Sequence, residues 1–196
     1  MDRSRIRELH NITHVVNVPS ILQRGILSHH RARAIQHHSV ADEDVQSRRA
    51  SVRIPGGTAL HRNACLYVDA RNAMLYRLLG TAPLVVLAVD PRVLDLEGTI
   101  VSDRNAASGT ALFRPASAGV PALQEADVYS EWWNESRDTR QKRCAEVLVP
   151  DRIDRSMILH VYVPDDDAAL ELSVAVGPHP LRVEVNPYLF FRGPRP

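Results

Sequence analysis

The chain has 196 residues, of which 44% are hydrophobic and 24% are charged, a composition typical of one globular domain with its own core. No apolar run approaches the roughly 20 residues that cross a bilayer, and the first residues lack a signal-peptide core, so we expect a cytoplasmic protein without a membrane partner. The formal net charge is +1, and Lys142 is the single lysine among 24 basic residues. Bulk charge therefore gives no argument for nucleic-acid binding, although a local basic cleft could still provide it.

Hydrophobic periodicity and turn residues predict short strands and short helices throughout. Up to residue 60 they are a strand over 11–18, a helix over 20–24 ended by Gly25, a mobile or ligand-covering polar loop over 29–39, a helix over 40–49 and a turn over 53–57. Next come a strand over 64–68, a helical turn over 73–79, strands over 84–89 and 97–101, and a loop over 102–110. The remainder predicts an irregular or partly helical stretch over 113–127, a helix at the end of 129–143, and strands over 144–149, 158–163, 170–176 and 181–185.

This order of elements favours an α+β domain over a doubly wound sheet, because most helices come early and most strands late. We expect residues 1–185 to form a single domain and residues 186–196 to be a Pro-rich, partly disordered tail. No Gly-rich dinucleotide fingerprint or phosphate-binding loop occurs, which disfavours an ordinary Rossmann or P-loop enzyme. Cys65 and Cys144 lie in apolar strands as buried thiols, and no Cys/His spacing indicates zinc.

Residues 45–76 contain the features of an anion pocket. Arg48 and Arg49 end a predicted helix, a Pro-Gly-Gly turn follows, and the next strand contains Tyr67. A guanidinium beside glycine-rich backbone suits a pyrophosphate, because it donates two parallel hydrogen bonds to phosphate oxygens. The alternative is a surface helix with solvated arginines, which is the usual setting of a basic pair.

Glu146 interrupts the apolar strand CAEVLV. A carboxylate is costly to bury unless it is paired, hydrogen-bonded or open to a cleft. Either strand alternation points Glu146 outward on an edge, or it lies at the floor of a cleft, where it can bind a sugar hydroxyl or take a proton. Thr13, His14 and Asn17 are weaker candidates, since N-capping and local turn bonds explain the same residue types.

Five segments taken together resemble one family. NITHVVNVPSILQRGILS, VQSRRASVRIPGG, LYVDARNAMLY, SDRNAASGT and KRCAEVLVP look like segments found in this order, at about this spacing, in the DarT-type DNA ADP-ribosyltransferase toxins, over roughly residues 9–160. The resemblance implies the ADP-ribosyltransferase fold, a split pair of small, mainly antiparallel sheets with short helices around an NAD cleft. It also implies transfer of ADP-ribose from NAD, without a metal, to a thymidine or guanosine base of single-stranded DNA. The protein would be the toxin of a toxin–antitoxin pair, with a DarG-like macrodomain antitoxin as partner.

The same resemblance assigns the catalytic roles to Arg49 and Glu146. Arg49 would neutralise the pyrophosphate, while Glu146 would stabilise positive charge on the ribose and accept the proton of the attacking base. Tyr67 falls near the nicotinamide. The other NAD-binding positions are Asn11, Thr13, His14, Asn17, Arg71 and Met74, and the DNA-binding positions are Arg48, Arg104, Asn105, Trp132 and Trp133.

Two departures from the family pattern leave the target base open. Many relatives have a histidine where this chain has Asn11, and an aromatic-proline-aromatic segment where it has residues 63–66. Trp132 and Trp133 can provide a stacking platform for a splayed strand, or one can be core and the other exposed. The alternatives are the same chemistry on RNA or protein, and a catalytically inactive module that binds NAD or nucleic acid.

Overall fold

A computed structural model describes residues 1–131 and 134–194. Within them the strands are β1 (Leu9–His14), β2 (Ile26–Leu27), β3 (Asn63–Tyr67), β4 (Leu84–Val89), β5 (Ile100–Ser102), β6 (Phe113–Pro115), β7 (Glu146–Pro150), β8 (Arg152–Ile153), β9 (Ile158–Val163) and β10 (Val183–Val185). The helices are α1 (Val18–Arg24), α2 (His29–Ala32), α3 (Glu43–Ser51), α4 (Ala73–Leu78), α5 (Ala116–Ala122), α6 (Glu125–Val128), α7 (Arg137–Lys142) and α8 (Asp166–Val176). None of the helices in these ranges is long and apolar enough to span a membrane.

One large sheet organises the fold. Its strand order is β10-β9-β4-β1-β3-β7-β5-β6, while β2 and β8 form a separate two-stranded sheet. The neighbours in the large sheet are antiparallel, apart from the parallel pair of β9 and β10. Strand β4 is apolar and buried at every position, because Val85 and Val86 pack into different core clusters on its two faces.

The large sheet is split between β1 and β3. β1 pairs with β4 along its whole length, but its register with β3 consists of one pair, His10 with Tyr67. Beyond that pair the two strands are bridged by the Asn11 side chain, whose Nδ2 donates to Cys65 O at 3.2 Å. The sheet therefore consists of two four-stranded halves with a wedge-shaped opening between them, which confirms the predicted α+β class and split, mainly antiparallel sheets.

Several predicted bounds are observed. The strands over 84–89 and 158–163 begin and end as expected, and the strands predicted over 64–68 and 144–149 appear as β3 and β7. Gly25 ends α1 with φ of 82°, and a Cβ there would lie 2.1 Å from Ile153 O, so only glycine fits. The strand predicted over 11–18 is too long. It ends at His14, whose Nδ1 accepts from Val16 N and starts a 3₁₀ turn.

The strand predicted over 170–176 is wrong, because this segment belongs to α8. Three consecutive aspartates begin the helix: the Asp165 side chain accepts from Ala168 N, and Asp166 and Asp167 occupy the first turn. Capping and negative charge at a helix N-terminus stabilise it. The apolar run that follows reads as a strand only when this start signal is ignored.

The C-terminal segment packs on the domain. Leu189 and Phe190 are 7% and 1% exposed and lie in the core cluster of Ile12 and Val86. The Asn186 side chain also accepts from Leu189 N at 3.0 Å. The expectation of partial disorder is therefore wrong for residues 186–194. It was based on the proline content of the segment and did not weigh the apolar residues Leu189 and Phe190, which are buried in the core.

Candidate active site

A buried ion pair joins Arg49 and Glu146. Arg49 lies in the last turn of α3, and Glu146 is the first residue of β7, opposite Tyr67 of β3. Arg49 Nη1 and Nη2 donate to Glu146 Oε1 and Oε2 at 3.0 and 2.9 Å, and the two residues are 7% and 1% exposed. Glu146 thus points into the protein and not outward on an edge.

Both carboxylate oxygens of the buried Glu146 are hydrogen-bonded. Ala106 N donates to Glu146 Oε1 at 2.8 Å, so the carboxylate accepts from backbone as well as from the guanidinium. Burial by itself would lower the pKa of Arg49, but the adjacent Glu146 carboxylate outweighs it and holds that pKa well above its ordinary value. The Arg49 guanidinium is therefore charged in the folded protein. Removing one partner of such a pair typically costs about 3–5 kcal/mol of stability.

Cys65 completes the surroundings of the guanidinium. Its Sγ lies 3.0 Å from Arg49 Nη2, so the thiol accepts from the same nitrogen that bonds Glu146. Burial raises the pKa of the Cys65 thiol to about 11. The thiol is therefore neutral at physiological pH and positions Arg49 without acting as a nucleophile.

Tyr67 and Met74 form the wall beside Glu146. The Tyr67 hydroxyl lies 2.7 Å from Met74 Sδ, and Asn72 caps α4 by accepting from Met74 N and Leu75 N. Burial, followed by the Glu146 charge, raises the pKa of Tyr67 well above its ordinary value. The phenol stays protonated and presents an aromatic face without charge.

These residues lie on a cavity of about 980 Å³ in the wedge between the half-sheets. Nine of the residues predicted for the site line it: Asn11, Thr13, Asn17, Arg48, Arg49, Tyr67, Met74, Asn105 and Glu146. The volume is at the upper end of the range for small-molecule sites, which suits a dinucleotide. The basic and polar lining also provides donors for phosphate and ribose oxygens.

The histidine-rich loop lies over the cavity, in the position expected of a ligand-covering segment. His37 and His38 line the cavity. Asn17 holds the loop with two hydrogen bonds of 2.8 Å, from its Nδ2 to His38 O and from His38 N to its Oδ1. Asp42, at the far end of the loop, forms an ion pair with Arg77 of α4.

Three predicted residues lie away from the cavity lining. Arg71 stacks between the rings of Tyr188 and Phe191, 4.3 Å from each centroid, and its Nε donates to Tyr188 O at 3.0 Å. The His14 and His38 rings are tilted relative to each other, with their centroids 4.1 Å apart. The Arg104 guanidinium forms ion pairs with Asp103 and Asp138. Trp132 and Trp133 lie outside the described residues.

Other cavity residues were not anticipated from the sequence. They are His29, His61, Cys65, Arg77, Arg137, Arg140, Gln141 and Cys144, among others. Arg137 and Arg140 lie on α7, a helix of six residues within a charged stretch that reads as solvated. Their spacing of three residues places them on one helix face. This spacing was the sequence signal that could have identified them as a pair facing the cavity.

A split antiparallel sheet with a buried Arg–Glu pair at the base of a dinucleotide-sized cleft is the architecture of an ADP-ribosyltransferase. The sequence model of the family described as ssDNA thymidine ADP-ribosyltransferase, DarT, matches residues 10–191. The chain belongs to the DarT family, as its sequence motifs indicated.

Two relatives and two solved structures agree with this assignment. A DNA ADP-ribosyl transferase–DNA ADP-ribosyl glycohydrolase fusion protein of Thermosipho africanus is 34% identical over 198 residues, covering 95% of this chain and 50% of that protein. A DNA ADP-ribosyl transferase of Thermus aquaticus is 28% identical over 176 residues, covering 80% of this chain and 75% of that protein. Thermosipho africanus DarTG in complex with ADP-ribose superposes with a TM-score of 0.86 at 33% identity, over 96% of this chain and 52% of that one.

The fold is also that of Thermus sp. 2.9 DarT in complex with ADP-ribosylated ssDNA. The TM-score is 0.82 at 22% identity, over 94% of this chain and 96% of that chain. This chain spans about half the length of the Thermosipho africanus relative.

Proposed function

We propose that this protein transfers ADP-ribose from NAD to a base of single-stranded DNA. The observation that carries the proposal is the buried Arg49–Glu146 pair in the wedge-shaped cavity of a chain that belongs to the DarT family. The same proposal has three further parts. The protein acts as a toxin, a macrodomain antitoxin removes the modification, and both steps take place in the cytoplasm. The fusion of a transferase to a glycohydrolase in the Thermosipho africanus relative supports the antitoxin partner.

Glu146 is the residue we assign to the chemistry. Cleavage of the ribose–nicotinamide bond releases neutral nicotinamide and builds positive charge on the ribose, which a fixed carboxylate stabilises. The base nitrogen then bonds to the ribose carbon and loses its proton, which the Glu146 carboxylate accepts. The Ala106 amide and the Arg49 fork hold the carboxylate in one orientation for both steps.

Arg49 receives a revised role. From the sequence, Arg49 was expected to neutralise the pyrophosphate of NAD. In the structure, however, both of its terminal nitrogens donate hydrogen bonds to Glu146. We therefore assign it to orienting the carboxylate. The exposed Arg48, which also lines the cavity, is better placed to meet the phosphates.

The target strand is assigned to the cavity mouth near α7. Arg137 and Arg140 are exposed, line the cavity and have no ion-pair partner among the described residues, so they can meet backbone phosphates. Asn105 lies on the same side. Arg104 is left out of this set because Asp103 and Asp138 already neutralise it.

Labelled NAD incubated in parallel with single-stranded DNA, RNA and protein tests the proposal. We expect label on DNA alone, and its loss in Glu146→Gln, which keeps the shape of the side chain but cannot take the proton. Label on RNA or protein alone would move the target to that class. A wild-type protein that neither labels an acceptor nor hydrolyses NAD would be an inactive binding module.

A further inference from the structure

The backbone amide that orients Glu146 belongs to a tight turn. Ala106 is fully buried, and its N donates to Glu146 Oε1 at 2.8 Å. Ser108 N donates to Asn105 O at 2.9 Å, which closes a turn over residues 105–108. The Asn105 side chain also accepts from the backbone two residues on, at 2.8 Å. These bonds fix the direction of the Ala106 amide within the turn, but they do not fix the turn relative to Glu146.

Gln141, near the end of α7, holds this turn at both ends. Its backbone O accepts from Asn105 N at 2.9 Å, and its side-chain Oε1 accepts from Ser108 Oγ at 2.9 Å. The same backbone O accepts from Cys144 N at 3.0 Å, two residues before Glu146. The last carbonyls of a helix lack partners within it, so the end of α7 can bond both segments. Gln141 thus joins the turn to the start of β7.

An ion pair also joins this loop to α7, but it faces solvent. Arg104 Nη1 lies 2.6 Å from Asp138 Oδ1, and the Asp138 side chain is 55% exposed. Exposed ion pairs contribute little, because water and salt screen them. The bond between Gln141 and Ser108 is partly buried instead. The link through Gln141 is therefore the one that sets the position of the turn.

We propose that Gln141 is a positioning residue for the transfer reaction, because it places the turn whose Ala106 amide orients the Glu146 carboxylate. The proposal rests on the proposed function and adds a residue to the machinery of the same site. A carboxylate held by fixed donors needs no reorganisation when positive charge develops on the ribose. Displacing the amide therefore slows the chemical step, and the binding of NAD and DNA is left unchanged.

Four variants isolate the side-chain bond of Gln141. Gln141→Met keeps the length of the side chain and the backbone carbonyl but removes the acceptor for Ser108 Oγ. Gln141→Glu keeps an oxygen that accepts from this hydroxyl and is the conservative rescue. Ser108→Ala removes the same bond from its other end. Thr110→Val is the control, because it removes an exposed hydroxyl of the same loop that contacts Arg104 and Ser108 instead of Gln141.

The test measures NAD hydrolysis without DNA and label transfer to single-stranded DNA, each per folded molecule as determined by urea unfolding. Both reactions depend on Glu146 in the proposed function. Gln141→Met and Ser108→Ala should each lower both kcat values about threefold to tenfold, the effect of one hydrogen bond, with KM for NAD and DNA unchanged. Gln141→Glu and Thr110→Val should stay close to the wild type. Combining Gln141→Met with Ser108→Ala should cause no further loss, because both changes remove the same bond.

Three results would overturn the assignment of Gln141. An unchanged kcat in Gln141→Met would show that its bond to Ser108 has no effect on Glu146. A rise in KM with kcat unchanged would make Gln141 a ligand contact, and additive losses in the double variant would mean that the two residues act separately.

Failure of the proposed function gives a different result. The wild type would then hydrolyse NAD without labelling DNA, and the effect of Gln141→Met on hydrolysis would still decide the positioning role. A wild type with neither activity would overturn both proposals.

Discussion

The guanidinium of Arg49 is bonded to three atoms, Glu146 Oε1 and Oε2 and Cys65 Sγ. Such a planar fork cannot be reproduced by lysine, whose ammonium is a point charge. In Arg49→Lys we expect DNA ADP-ribosylation to fall about 10²–10³-fold, because Glu146 loses its fixed orientation. Initial transfer rates measure this loss. Arg53→Lys, at an exposed position just after the same helix and outside the cavity lining, is the matched control, and equal activity of both variants would contradict the orienting role.

His61 supplies a pH prediction at the same scale. Burial, and then the positive groups His29, Arg49 and Arg33, lower the pKa of His61 to about 4, against about 6.5 in the unfolded chain. The folded protein therefore binds fewer protons than the unfolded one between these values. The stability contributed by neutral His61 is complete above pH 6.5 and is lost as the pH falls toward 4.

Urea unfolding at pH 7 and pH 5 measures this dependence, and His61→Phe should reduce the difference between the two free energies of unfolding. His30→Phe, at an exposed position beside His29, should leave that difference unchanged. If His61→Phe retains the full difference, other groups carry the pH dependence.

At the scale of elements, the sequence specifies best what local chemistry decides. β4 is recognisable because it is apolar at every position, and the end of α1 because Gly25 alone tolerates its backbone and its close approach to Ile153 O. The ion pair across 97 residues has no local signal, so Arg49 and Glu146 were assigned through family motifs. The expectation that Arg71 lies at the NAD cleft also came from a family motif, because its stacking partners lie more than a hundred residues further along the chain and leave no local signal.

The position of Arg71 gives a prediction that separates structure from binding. It lies between Tyr188 and Phe191 and donates to Tyr188 O, so it holds the C-terminal segment against β1 and α4. Arg71→Ala should lower the free energy of unfolding by about 1–3 kcal/mol, from the lost cation–π contacts and hydrogen bond. The KM for NAD should stay near the wild-type value.

Urea denaturation and NAD kinetics on the same preparation test both halves of that statement. Arg92→Ala is the control, because the Arg92 side chain is 71% exposed and its ion-pair partner among the described residues is the nearby Asp90. A large rise in KM with unchanged stability would return Arg71 to the NAD site, as the family motif suggested.

For the molecule as a whole, the division of the sheet determines how a ligand changes its stability. The half-sheets are joined by the His10–Tyr67 pair and the Asn11–Cys65 bond. The cavity between them is lined from both sides, by Thr13 on β1 and by Asn63 on β3. A ligand that binds there contacts both halves and opposes their separation. Strand β4 should gain less protection from the ligand, because all of its residues are already buried in the protein alone.

Hydrogen exchange with and without ADP-ribose tests this prediction. At a concentration 100 times the Kd, binding adds about 2.7 kcal/mol to the free energy of global unfolding. Local protection should appear in β1 and β3 together, and in the loop around His38, because all three segments line the cavity. Protection confined to one half would mean that the ligand does not bridge the wedge. In that case the split between β1 and β3 would not be the ligand site, and the assignment of the cavity would have to change.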